Sequence, residues 1–74
     1  MTIKVITENE FPEVSKMKKK FNIFSVVGIK NGELESVEFF GKNGVFRAFG
    51  KNTQEAYKKA TKVVKKYYKE KRRD

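Results

Sequence analysis

The chain contains no cysteine, no histidine and no tryptophan, only one proline (Pro12), and its only aspartate is the last residue, Asp74. Without cysteine there is no disulfide framework. Without cysteine or histidine there is no thiolate or imidazole metal site and no Ser–His or Cys–His nucleophile pair. Catalysis would have to rest on Lys, Glu and Tyr alone, so the expectation is a protein that is not an enzyme and uses no metal, cofactor or small-molecule ligand. Long apolar runs are missing as well: nothing approaches the ~20 consecutive residues that a membrane span needs. The segment from Met1 to Glu10 has neither the apolar stretch nor the small-residue cleavage site of a secretory signal. A soluble, cytoplasmic protein with no membrane partner is expected. Its 74 residues suit one domain, 1–74. A chain this short buries only about 60% of the surface that its unfolded form exposes.

Charge is abundant and mostly of one sign. Eighteen Lys and Arg against nine Asp and Glu give a net charge of +9, which points to a polyanionic partner. The excess is uneven: residues 1–50 hold eight basic and six acidic side chains, whereas residues 51–74 hold ten basic and three acidic ones. The last third therefore carries most of it.

Hydrophobic residues make up 38% and aromatics 14%, too many for a disordered chain. Thr2 to Thr7 is rich in β-branched residues and reads as a strand. Residues 10–19, with Pro12 suited to a first helical turn and Phe11, Val14, Met17 and Phe21 near helical spacing, fit a short helix or an ordered loop. Lys20 to Lys30 and Glu33 to Phe40 flank Asn31–Gly32, the pair that suits a two-residue type I′ turn. That turn sets Ile29 opposite Leu34, Val26 opposite Val37 and Phe24 opposite Phe39. Gly41 to Gly44 starts a second hairpin into Val45 to Gly50, with Phe40 facing Val45, Phe39 facing Phe46, and Glu38 facing Arg47 as an opposite-charge pair.

Alternation then divides the three-stranded meander into two faces. Phe24, Val26, Val37, Phe39, Phe46 and Ala48 share an apolar side that a helix must cover. The other side mixes apolar residues such as Ile29, Phe40, Val45 and Phe49 with Ser25, Ser36, Glu38 and Arg47. It is too apolar for full solvation, so Thr2 to Thr7, a second copy in a homodimer or another chain is expected to shield it.

Asn52 or Thr53 can cap a helix that runs to about Lys71, with Glu55 in its first turn. At about 100° per residue, Ala56, Tyr57, Ala60, Val63, Val64, Tyr67 and Tyr68 form one stripe, and Lys58, Lys59, Lys62, Lys65, Lys66 and Lys69 the opposite one. Residues 69–74 are expected to fray as a basic tail. The fold class is thus α+β: a three- to four-stranded antiparallel sheet with a long C-terminal amphipathic helix on one face.

Six lysines three and four residues apart repel one another by about 0.2–0.5 kcal/mol per pair, a pattern that folding does not ask for. Together with Lys18, Lys19 and Lys20 of the run that begins at Lys16, and with Lys51, Asn52 and Thr53 at the helix start, they are the candidate nucleic-acid contacts. Single-strand binders add exposed aromatics on which bases stack. Most aromatics here are needed for the core, leaving Phe40, Phe49 and Tyr68 as candidate platforms. A duplex backbone needs only a rigid line of ammonium groups and helix-terminal amides, so duplex, DNA or RNA, is the favoured partner.

From Gly50 to Thr61 the chain reads GKNTQEAYKKAT. This segment resembles the closing segment of double-stranded-RNA-binding domains: Gly50, Ala56 and Ala60 match in register, Asn52 stands at the capping Ser, and Val63, Val64 and Tyr67 continue the apolar face. The resemblance implies an order of helix, three strands and helix, and recognition of duplex shape across minor grooves. Thr53 and Gln54 stand where that family carries two phosphate-gripping lysines, and the tight Asn31–Gly32 turn replaces its long first hairpin loop. The sheet-plus-helix plan also resembles plant transcription-factor domains and the arm-binding domains of tyrosine recombinases, which read a major groove with the open sheet face. Only Arg47 and Lys42 offer polar readers for that role here. A different class remains open, a small interaction or inhibitory module of the kind phages and mobile elements encode, docking its basic face on an acidic protein.

Overall fold

The structure is a computed structural model, and it describes residues 1–71; Arg72, Arg73 and Asp74, in the expected basic tail, lie outside the described residues. Six elements follow in order: β1 (Thr2–Val5), α1 (Glu13–Phe21), β2 (Ile23–Asn31), β3 (Leu34–Gly41), β4 (Gly44–Gly50) and α2 (Thr53–Lys71). The strands form one antiparallel sheet in the order β1-β2-β3-β4. α1 lies over β2 and α2 over β3 and β4, so both helices occupy one side and the other is bare. The α+β class with a C-terminal helix on the sheet is as the sequence predicts.

β1 is shorter than the expected Thr2 to Thr7 and does not cover the mixed face. It adds to the sheet edge beside β2, pairing Ile3 with Ile29 and Val5 with Val27. Ile6 leaves the strand and turns into the core, held by its N–H on the Val26 carbonyl at 2.8 Å. Residues 10–19, compatible in sequence with a helix or a loop, contribute to α1, which starts three residues later and ends at Phe21. Val14, Met17 and Phe21 are all buried, as their helical spacing on one face requires. Asn22 ends α1 in the left-handed region (φ 53°, ψ 48°) and donates its N–H to the Lys18 carbonyl. Asn is among the few residues that tolerate this conformation at a helix end.

The first hairpin corrects the expected register by two residues. Asn31 pairs with Leu34 and Val26 with Phe39, so the two turn residues are Gly32 and Glu33 rather than Asn31 and Gly32. Gly32 takes φ 68° while Glu33 stays at negative φ, the requirement of a turn with Gly at its first central position. A shift of two preserves parity, so the strand faces survive. The exception is Phe24. An irregularity between Ile23 and Ser25 takes it out of the alternation, leaving it 69% exposed while Ile23 is buried in its place; a local break in the ladder re-aims side chains in this way. The second hairpin pairs Phe40 with Val45, Phe39 with Phe46 and Glu38 with Arg47, as expected.

The core fills the space between sheet and helices. Val26, Val37, Phe39 and Val64 are fully buried, worth about 1.5–3 kcal/mol each relative to exposure. Ala56 and Ala60 let α2 lie close on the sheet. Gly50 does the same at the corner into α2: a Cβ there would stand 2.6 Å from the Ala56 nitrogen. The buried stripe of α2 is turned from the expected one, with Thr61 buried and Val63 41% exposed. α1 packs along the Thr61 flank, where Phe11 stacks on Tyr57 at 4.1 Å and Phe21 on Tyr68 at 4.9 Å.

Candidate nucleic-acid interface

α2 begins with its own side chains on its free amides. Asn52 Oδ1 accepts the Glu55 N–H at 2.8 Å, and the Glu55 carboxylate accepts the Lys51 N–H at 3.1 Å. The two bonds cap the helix start as a variant of the capping box, with the return bond going to the amide one residue before the cap. The Thr53 hydroxyl donates to Glu35 Oε2 at 3.0 Å. The bond from the Lys51 N–H holds the Glu55 carboxyl below its ordinary pKa, opposed by partial desolvation and helped by the ammonium groups of Lys59 and Lys51. Glu10 and Glu35 line the cleft in front of Asn52 and Thr53. So Lys51, Asn52 and Thr53, three of the candidate contacts, sit at an end of α2 that is capped and acidic. The geometry there suits helix initiation rather than a phosphate.

The six lysines of α2 behave differently. Lys58, Lys59, Lys62, Lys65, Lys66 and Lys69 are all exposed on the side away from the core. From Lys58 to Lys69 they span about 16 Å of helix axis at about 1.5 Å per residue. Glu55 reaches Lys59 at 3.6 Å and Glu13 reaches Lys65 at 3.3 Å. Among the described residues Lys58, Lys62, Lys66 and Lys69 have no carboxylate partner.

The lysines of α1 divide between the groove and the outer surface. Lys19 points outward and Lys18 is half-buried, and neither lines the groove between the helices. Lys20 does, and so does Lys16, which belongs to the same lysine run but is not among the candidate contacts. The groove has Met17, Phe21 and Tyr68 along it, Lys16 and Lys20 on the α1 side, and Lys65 and Lys69 on the α2 side. Glu13 interrupts it at the Pro12 end. Lys16 is detectable in principle, since it lies four residues before Lys20 on one helical flank. What the sequence lacks is the side of α1 on which α2 docks.

The candidate aromatic platforms divide too. Tyr68 is committed to structure: its hydroxyl donates to the Phe21 carbonyl and accepts from Asn43 Nδ2, both at 2.9 Å. Phe40 is half-buried and Phe49 half-exposed on the bare side of the sheet, away from the lysines. The two remaining candidate platforms, Phe40 and Phe49, therefore lie on the layer opposite the lysines. Arg47 is held by Glu38 at 2.6 Å, which leaves the sheet without a free basic reader at its centre.

Among the described residues no helix is long and apolar enough to cross a membrane, and no three acidic side chains gather as a metal site. No family model, no curated protein and no solved structure matches the chain.

Proposed function

We propose that the protein binds the sugar-phosphate backbone of duplex nucleic acid in the cytoplasm, with little sequence preference, through the outer face of α2 and the groove between α1 and α2. One observation carries this reading: a line of exposed lysines, most without a carboxylate partner among the described residues, fixed on a rigid helix whose opposite stripe is buried. Folding gains nothing from that line, because like charges at these spacings repel. A duplex backbone supplies the missing counter-charge, and neutralising it releases counterions, which drives association. No side chain of this layer is placed as a base reader, so shape and charge dominate.

Two further features support duplex over single strand. The aromatic side chains nearest the lysines, Phe21, Tyr67 and Tyr68, pack against one another or the core and are not free for bases. The order helix, three strands, helix is the one that the resemblance to double-stranded-RNA-binding domains implies, here with β1 added in front. The proposed contacts sit further along α2 than in that family, because the helix entry is acidic.

The test is a titration of labelled RNA and DNA duplexes and of the corresponding single strands over a range of salt. Four to six neutralised phosphates give a slope of log affinity on log salt of about −0.9 per contact. A slope near zero, or single strands bound much more tightly than duplex, would defeat the proposal. In that case an acidic protein becomes the partner to seek.

A further inference from the structure

The bare side of the sheet is ordered like the inside of a sandwich. The strand registers align Ile3, Ile29, Ser36 and Phe49 in one row across four strands, and Val5, Val27, Glu38 and Arg47 in the next. Several apolar members of this face stand in water: Val5 is 66% exposed, Ile3 59%, Val45 53% and Phe49 52%. Sheets of small domains leave a side open when it is polar, and this one is mostly apolar and β-branched.

We propose that this side is an interface between two copies of the chain, packed sheet against sheet. The argument begins with charge. In a chain of net charge +9 the face contains, among the described residues, one acidic and one basic side chain, Glu38 and Arg47, joined at 2.6 Å. Two copies meeting here bring no excess positive charge together. Their lysine layers point outward, separated by more than two sheet-packing distances of about 10 Å each, well beyond the screening length of about 8 Å at physiological salt. A partner of opposite charge would dock on the other layer, where the lysines are. An anionic lipid surface would need basic residues around the apolar ones, and the six lysines of the α2 stripe lie on the far side.

The polar pair is self-complementary. Glu38 is buried, whereas the Arg47 side chain that meets it through Nε is 55% exposed. More than half of the Arg47 side chain is open on this face, so a twofold axis near its middle brings the two Glu38–Arg47 pairs together with their charges already matched. This is the reciprocal contact that an isologous interface requires.

Area sets the strength. Four strands about 4.8 Å apart and about seven residues long at about 3.4 Å each present roughly 450 Å² in projection per copy. Allowing for surface relief, two copies bury on the order of 1,000–1,200 Å², the lower limit of specific interfaces. The dimer is therefore weak, forming in the micromolar range and above, and it carries two lysine layers facing away from each other.

Sedimentation equilibrium of the full chain alone, from low micromolar to near millimolar protein in moderate salt, tests this without any nucleic acid, so its result is separate from that of duplex binding. The average mass is expected to rise with concentration from 8.7 kDa towards twice that value. Val5→Lys and Phe49→Lys place charge on exposed positions, so thermal melts should be little changed. Each variant should weaken dimerisation about tenfold or more, a cost typical of a buried contact. A mass of one chain at every concentration overturns the proposal. So does a dimer that persists unchanged in both variants, which would put the interface elsewhere, and so does apolar-face binding to anionic vesicles by a protein that stays monomeric.

Discussion

Tyr57 and Thr61 are buried residues whose hydroxyls lie near each other without a hydrogen bond of good geometry to any partner among the described residues. They lie one turn apart on the flank of α2 that faces α1, with the Tyr57 ring stacked on Phe11 and tilted against Phe39. An unsatisfied buried hydroxyl costs about 1–3 kcal/mol in lost hydration. Tyr57→Phe keeps the ring and both aromatic contacts, removes that cost and leaves only a hydroxyl-sized gap, so a net gain of about 1 kcal/mol is expected. Thr61→Val exchanges hydroxyl for methyl at similar helix propensity and should gain a similar amount. For a domain of this size, about 1 kcal/mol raises the melting temperature by about 4–8 °C. Urea midpoints should rise with unchanged slope. The pH dependence gives an independent check. Burial first, and then the Glu13 charge, push the Tyr57 phenol above its ordinary value of 10.0, outweighing the lowering effect of the nearby Thr61 hydroxyl. The unfolded chain then loses this proton first, so the parent loses stability as pH climbs from the ordinary value towards the raised one, and Tyr57→Phe lacks that part of the loss. If either variant is destabilised by about 1 kcal/mol or more, the scale of a lost hydrogen bond, its hydroxyl is bonded in the folded protein and the reasoning is refuted.

Two further predictions concern the corner where β4 turns into α2. Gly50→Ala forces a Cβ against the Ala56 backbone and should destabilise by about 1–3 kcal/mol, with calorimetry as the check; a neutral result would show that the corner can open. Because the folded-state pKa of Glu55 is lowered, its cap contribution is present above its ordinary value and is lost as pH falls through the lowered one. Glu55→Gln should therefore flatten the acid limb of the stability profile measured by denaturant titration, and an unchanged acid limb would remove Glu55 from the cap.

How far the sequence discloses this fold depends on the range of each interaction. The β3–β4 register was legible because Glu38–Arg47 and Phe39–Phe46 form matched cross-strand pairs. The β2–β3 register was displaced because Asn31–Gly32 fits a type I′ turn locally, while the chain uses Gly32 as the first central residue. Phe24 could not be placed from alternation, since the ladder is irregular between Ile23 and Ser25. On α2, periodicity gives the apolar stripe but not its centre. Thr61 rather than Val63 is covered because α1 lies on that flank. The lysine line needed only helical spacing to be seen. The groove, and Lys16 in it, needed the docking of two helices separated by three whole strands, which no local pattern encodes.

The central claim is that the lysine line exists for a duplex and not for the fold. Its most direct test replaces Lys62, Lys66 and Lys69 together by Gln, leaving Ala56, Ala60, Val64 and the ion pairs of Lys59 and Lys65 in place. Duplex affinity is then measured against salt for parent and variant. The melting temperature should hold or rise. The slope of log affinity on log salt should become shallower by about 2.7, and affinity near physiological salt should fall roughly 100-fold. A variant that binds duplex as tightly as the parent, with the same slope, would contradict the account and reduce the lysine line to a solvated surface.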